Sequence, residues 1–362
     1  MSNVEKELEE LRDEISKLDS SIVELLNSRA ALAKRIGAAK IGLGRSVIDR
    51  AREQEVYERI TSEDLENLTK SQLLAIYKEI IAACRVVQAG KKRVAFLGPA
   101  GTFSEQATKS YFSEAEADFI MVNKISDVFR RVISEEVDYG VVPVENSTYG
   151  SVPVTLDLLL ESDIKAIGEI IIRIKHNLIT LKKIPLSEIK TVLSKDQAIA
   201  QCRGFIEENL PTAEIIETKS TSRAVEVLPE YENAAAIGTE LAAEIFNRVV
   251  ISKGIEDNQN NFTRFFVLGH EESTPTDTDK TSIVFSVKHV PGALLNALKA
   301  FSSRKINLTK LESRPSRITP WEYYFYTDFE GHIAEPHVQE ALADLKNNTL
   351  YIKILGSYKS SK

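Results

Sequence analysis

The stretch 258–269, NQNNFTRFFVLG, runs from amides through a hydroxyl and a guanidinium straight into apolar residues. FFVL at 265–268 reads as a buried strand. Polar side chains at its mouth are costly unless each finds a partner. They either tie a turn together or face a ligand. Upstream, short apolar runs alternate with helical patterns: VAFL at 94–97 before GPAG and a helix near Phe103, DYGVV at 138–142, TVL at 191–193 before QAIAQCRGFIEENL, and 234–237 before TELAAEIF. That alternation predicts α/β layers with ligands at the carboxyl ends of strands. The segment is large for one sheet, which predicts two lobes with a cleft between them.

On the carboxyl side, HEESTPTDTDKT at 270–281 is polar and contains proline, the grammar of a linker. SIVFSVK at 282–288 alternates like a strand, and a helix opens at Pro291. Strands near 306–313 and 321–328, a helix at 335–346 and a strand at 350–355 complete βαββαβ, the ferredoxin-like plan.

On the amino side the period changes. Leu8, Leu11, Ile15, Leu18, Ile22 and Leu25 step by three and four, and Leu32 and Ile36 continue the face. This predicts an amphipathic helix of about nine turns. Gly42 and Gly44 break it, and further helices are expected at 47–60 and 71–88. Arg29 and Lys40 are eleven residues apart and share a face. Asp49, Arg52 and Glu53 share another, as do Cys84 and Gln88. Arg12 precedes Arg29 by seventeen residues, roughly 25 Å of helix, so no small ligand meets both on one chain. Any contribution of Arg12 goes to a partner subunit's site. A dimerising bundle that only scaffolds is the plainer reading of these helices.

The bulk numbers bound the rest. The 362 residues are 43% hydrophobic and 27% charged, ordinary for a soluble globular protein. A net charge of −7 without a polybasic face argues against nucleic-acid binding. Two cysteines give neither a disulfide framework nor a zinc spacing, and no metal or other cofactor is expected. The acidic start, MSNVEKELEELRDE, lacks the apolar core of an export signal. No run of about 18 apolar residues stands ready to span a membrane. A cytoplasmic setting is expected.

The pattern R-x16-R-x10-K, then D-x2-R-E, then Q over residues 4–88 resembles the all-helical chorismate mutase domain. The resemblance implies that Arg12 of the partner, Arg29 and Arg52 hold carboxylates. Lys40 and Gln88 would donate to an ether oxygen, and Asp49 and Glu53 would place the ring hydroxyl and its neighbours. Cys84 stands where a serine is common, and the loop IGLGRSV is one residue shorter than in some relatives.

GPAGTFSEQA at 98–107, VPVENSTYGSVP at 142–153, LSKDQAIAQC at 193–202, STSRA at 220–224 and NNFTRF place polar loops at strand ends. In this order, over about 93–269, they resemble prephenate dehydratase, with a bilobed fold like that of periplasmic binding proteins. The resemblance implies substrate contacts from Thr102, Ser104, Asn146, Ser194 and Gln201, with Glu145 orienting its loop. Thr263 would be the acid or hydrogen-bond donor. Arg264 is either a substrate clamp or the partner of a lobe carboxylate. Lys195-Asp196 replaces the usual His-Pro, and the five histidines form no catalytic set.

PGALLNAL at 291–298 and NLTKLESRP at 307–315 resemble the ACT domain of the same enzymes. They imply phenylalanine as allosteric inhibitor, bound between paired domains by Gly292, Ala293, Leu294, Glu312, Ser313, Arg314 and Pro315. The expectation is a multidomain homo-oligomer: helical mutase 1–90, dehydratase 92–269, linker 270–281 and ACT domain 282–362. It would convert chorismate to prephenate and prephenate to phenylpyruvate. The rival readings are a dehydratase whose helical arm only dimerises, and a non-catalytic small-acid sensor.

Overall fold

The computed structural model describes residues 3–43, 50–316 and 321–361. They divide into two compact units, Met1–Lys92 with Phe112–Asp118 and Arg93–Tyr111 with Phe119–Lys362. No helix of the described residues is long and apolar enough to cross a membrane.

The first unit carries α1 (Asn3–Gly42), α2 (Arg50–Thr61) and α3 (Lys70–Ala89). Helix α1 is longer than the expected nine turns, because it begins at Asn3, ahead of Leu8, and runs past Ile36 to Gly42. Thr69 and Gln72 open α3 with a reciprocal capping box, an N-cap of the kind worth about 1 kcal/mol. Gly37 brings α1 close to α3: a Cβ there would meet the Gln88 side chain at 3.0 Å. Ala33, Ile60, Ile81, Ala82 and Cys84 are buried, but Leu18 and Leu25 stay 63% and 70% exposed. The three-and-four periodicity therefore marks a face that this chain does not itself cover.

In the second unit the elements run β1 (Lys92–Leu97), α4 (Phe103–Tyr111), β2 (Ala117–Val122), α5 (Ile125–Ile133), β3 (Tyr139–Asn146), β4 (Gly150–Ser151), α6 (Pro153–Glu161) and β5 (Lys165–Arg173). Then come β6 (Asn177–Thr180), β7 (Thr191–Ser194), α7 (Asp196–Gln201), α8 (Arg203–Asn209), β8 (Glu214–Glu217), α9 (Thr221–Glu226), β9 (Ala234–Gly238), α10 (Glu240–Ile245), β10 (Val249–Lys253) and β11 (Phe262–Gly269). Two sheets result, ordered β2-β1-β3-β11-β5, with β4 on β3, and β10-β6-β9-β7-β8. The second sheet is inserted between β5 and β11, which pair antiparallel with Phe262 opposite Arg173. Strand β11 lies between β3 and β5, and residues 265–268 are buried, as FFVL predicts.

The C-terminal strands and helices are β12 (Asp279–Ser286), α11 (Ala293–Ser302), β13 (Leu308–Pro315), β14 (Tyr323–Glu330), α12 (Pro336–Asn347) and β15 (Tyr351–Lys359), in sheet order β13-β14-β12-β15. The polar stretch expected to be linker through residue 281 joins this sheet from Asp279. Lys280 and Thr281 are buried there, Lys280 because its ammonium meets Glu169 at 2.9 Å. Gly356 allows the backbone of β15 to approach β5: a Cβ at that position would overlap the Ala166 carbonyl oxygen.

Candidate active sites

The amides before β11 both tie a turn and present a hydroxyl. Asn146, at the end of β3, donates through Nδ2 to Asn261 Oδ1 at 2.8 Å and to Thr263 Oγ1 at 2.9 Å. Its Oδ1 accepts the backbone N–H groups of Thr148 and Tyr149. Ser147 fastens the same loop by donating to the Asn260 carbonyl and accepting from the Phe262 amide. Because the Thr263 oxygen already accepts from Asn146, its own proton is directed to another acceptor. Thr263 is half-buried.

The next side chain on the strand serves another purpose. Arg264 Nε donates to Glu169 at 2.7 Å, Nη1 to Asp328, and Nη2 to the Tyr358 hydroxyl at 2.6 Å. Its guanidinium lies over the Phe266 ring, 4.9 Å from the centroid. Arg264 thus has carboxylate partners, one of the two readings open for it. Burial alone would push Glu169 up, but Arg264, the Ser361 amide and Lys280 pull it below the ordinary carboxylate range.

The GPAG loop gives a different result for its two hydroxyls. Thr102 is half-buried and donates to the Leu97 carbonyl at 3.2 Å, whereas Ser104 is buried on α4. Gly101 adopts φ +78, and a Cβ there would strike the Ala242 backbone at 2.7 Å. The loop is held by Thr239, which donates to the Gly101 carbonyl, and by Ser222, which donates to that of Ala100. In STSRA it is Ser220 that caps α9, its hydroxyl oxygen accepting the Arg223 amide.

Ser194 is fully buried and donates to the Ile237 carbonyl at 2.8 Å, so its hydroxyl is used inside the second sheet. Lys195 is the N-cap position of α7, and Asp196 Oδ1 accepts the Gln197 amide. Gln201 Oε1 lies 2.6 Å from His176 Nε2, and the His176 ring meets Phe103 of the GTFS motif edge-on at 5.5 Å. With the amide oxygen accepting, the imidazole proton sits on Nε2, leaving the buried Nδ1 without a protein partner. Burial holds His176 below its ordinary pKa, against the opposing pull of Gln201 and Glu256. A lone histidine inside KHNLIT gives no sequence signal for this contact.

In the helical unit, Arg29 Nη1 lies 2.7 Å from Cys84 Sγ. Gln88 packs beside Gly37, and Lys40 is half-buried on the last turn of α1. Glu53 is bound by Arg85, whose Nε and Nη2 reach its two oxygens at 2.7 and 2.5 Å. Arg85 also reaches Glu116 at 2.5 Å. Burial would lower Arg85, but these two carboxylates hold it above its ordinary range. Sequence reasoning passed over Arg85, whose partners lie 32 and 31 positions away. Arg52 is exposed and paired with Glu55, and Arg12 is exposed near the far end of α1. Asp49 and the loop shortened near Gly44 lie outside the described residues.

On the C-terminal sheet, Gly292 caps α11 at φ +78 and is exposed, with Ala293 and Leu294 half-buried behind it. Alternation on β13 turns Glu312 and Arg314 one way and exposed Ser313 and Pro315 the other. Glu312 accepts from Ser151 and pairs with Lys310 at 3.3 Å. Arg314 donates to the Pro153 carbonyl at 3.1 Å and pairs with Asp157 at 3.2 Å. Lys310 also meets Glu145, the neighbour of Asn146, at 3.1 Å.

Polar constellations on a helical segment and an α/β segment, followed by a small α+β segment, are the layout of a multidomain enzyme. The family models agree: chorismate mutase type II matches residues 11–89, prephenate dehydratase 94–273 and the ACT domain 281–347. A bifunctional chorismate mutase/prephenate dehydratase of Aquifex aeolicus is 43% identical over 98% of each chain. A prephenate dehydratase of Methanocaldococcus jannaschii is 42% identical, covering 74% of this chain and 98% of its own. Among solved structures, a prephenate dehydratase of Arthrobacter aurescens in complex with L-Phe is 33% identical, with a TM-score of 0.69, over 74% of this chain and 90% of that one. The chain belongs to the bifunctional chorismate mutase/prephenate dehydratase family. Its activities are those of a chorismate mutase and a prephenate dehydratase.

Proposed function

We propose that the helical unit rearranges chorismate to prephenate and that Thr263 assists the conversion of prephenate to phenylpyruvate. The rearrangement breaks one C–O bond and forms one C–C bond, with no proton transfer. The enzyme must hold two carboxylates and stabilise charge growing on the ether oxygen. Arg29, Arg52 and the partner's Arg12 are assigned to the carboxylates, Lys40 and Gln88 to the ether oxygen, and Asp49 and Glu53 to the ring hydroxyl. The exposed apolar stripe of α1 supports pairing with a second copy, which would bring the partner's Arg12 to the site.

For the second reaction, the C–C bond to the leaving carboxylate breaks and its electron pair enters the ring. The ring C–O bond then breaks, and the departing hydroxide takes a proton to become water. The Asn146–Thr263 contact carries the assignment, because the threonine oxygen accepts there and keeps its proton for another acceptor. A threonine is too weak an acid for free donation, so the role is a strong hydrogen bond or relay to the leaving oxygen. Asn146, Thr102, Ser104, Ser194 and Gln201 would shape the site, Ser194 from inside the sheet.

The proposed boundaries are 1–90, 92–269, 270–281 and 282–362, with a bilobed dehydratase like the periplasmic binding proteins and a ferredoxin-like ACT domain. Phenylalanine would bind near Gly292 and 312–315 and favour a less active state, in a cytoplasmic homo-oligomer. Supplying chorismate alone and following both products tests this: prephenate should rise and fall as phenylpyruvate accumulates, and added phenylalanine should slow the second phase. Persistent chorismate with prephenate still consumed would reduce the helices to a dimerising arm.

A further inference from the structure

Thr263 and Arg264 are consecutive on an extended strand, so their side chains leave it on opposite faces. The first meets Asn146; the second enters a closed polar cluster that reaches into the C-terminal sheet. Asp328 on β14 binds Arg264 and accepts from Ser282 Oγ on β12 at 2.5 Å, while Ser282 also bonds the Tyr358 hydroxyl on β15. On the near side, Glu169 on β5 holds both Arg264 and Lys280. Arg264 and Lys280 thus face Glu169 and Asp328, with Glu145 on β3 a more distant 3.8 Å from Arg264, and Glu169, Lys280, Asp328, Ser282 and Tyr358 are all buried. Every polar nitrogen of the Arg264 guanidinium has a protein oxygen partner, so its position is fixed from several directions.

We propose that Asp328 is a positioning residue of the dehydratase reaction: through Arg264 it sets the register and tilt of the β11 mouth, and so where the Thr263 hydroxyl points. The proposal rests on the reading of Thr263 as the donor. Through this contact the C-terminal sheet would contribute to the dehydratase geometry, apart from any role in binding an effector. Asp328 touches no substrate; its effect is geometric. A misplacement of about 1 Å at a reacting group costs on the order of 100-fold in rate, so loosening this anchor should appear in kcat.

The test uses the full chain, with its own mutase rate as the measure of folded enzyme. Asp328→Asn keeps the side-chain volume and removes the charge that faces Arg264. Per unit of mutase activity, kcat for prephenate should fall by about 10- to 100-fold, with KM changed by less than about twofold and Asp328→Glu recovering a large part of the loss. A proportional loss of both activities would make the cluster merely structural and overturn the proposal, as would unchanged kcat in Asp328→Asn. Thr263→Ala separates the two layers of argument. If it retains full rate, the donor reading fails and takes the proposal with it. If it is crippled while Asp328→Asn is normal, only the proposal fails.

Discussion

Helix α1 and strand β11 each carry residues assigned to catalysis, and they treat their apolar side chains in opposite ways. Along α1, Leu8, Leu11, Ile15, Leu18, Ile22 and Leu25 are all exposed. Along β11, Phe265, Phe266, Val267 and Leu268 are at most 2% exposed, covered by strands on both sides and by residues of the C-terminal sheet. Burial of apolar surface is what holds a segment in place. The β11 site is therefore assembled within one chain, whereas α1 presents an apolar face that a second copy would cover. Under the proposed pairing of two copies, one region derives its geometry from folding and the other from folding plus association.

The sharpest way to break that comparison is a reciprocal pair of substitutions. Thr263→Ala should lower dehydratase kcat by about 100- to 10,000-fold and leave mutase turnover intact. Lys40→Ala should lower mutase kcat by about 100- to 1,000-fold and leave the dehydratase intact. Steady-state assays on each substrate check both, and any variant that damages the two activities together would count against separate sites. A smaller effect is expected from Leu18→Glu combined with Leu25→Glu. Sedimentation should show weaker association, and mutase activity should fall about tenfold or more at dilute enzyme, with dehydratase turnover less affected.

The smallest effect is a pH response confined to the α/β side. His176 is held below its ordinary value of 6.5, so the unfolded chain binds a proton there before the folded one does. Its contribution to stability is full above that value and is lost as pH falls from it through the lower folded-state value. Melting followed at pH 7.5 and 5.5 should show a lower transition temperature at the acid pH. His176→Asn should flatten this dependence. Glu169, also held low, adds a loss of the same sign in the window below its ordinary 4.5.

What the sequence made legible was local. The period of α1 and the run FFVL each declare an element without reference to any other part of the chain. The amides before Thr263 are legible as a problem, and Asn146 supplies its solution from a loop whose own motif had marked it. Arg85, Glu169 and His176 were not legible, because each acquires its meaning from a partner brought close only by topology. Glu169 sits in an apolar strand and pairs with Arg264, 95 positions away, and with Lys280, 111 away. Lys280 read as part of a linker for the same reason: its composition is polar, and only the position of Glu169 makes burial tolerable. Ser194 adds a partner of the same kind: its motif marks a substrate contact, and its hydroxyl also donates to the Ile237 carbonyl, 43 positions away.

The second sheet enters the first between two strands that are direct neighbours, with Arg173 opposite Phe262. Its entry and exit are thus separated by roughly one strand spacing, about 5 Å. In topological terms β5 and β11 are the arms of a β-hairpin, and residues 174–261 are a guest carried where a tight turn would suffice. Replacing that guest by a two-residue Asn-Gly turn would leave every hydrogen-bonded strand neighbour of the first sheet in place. Host and guest are nonetheless laced together, because Ser222 and Thr239 of the guest hold the loop that follows β1 of the host.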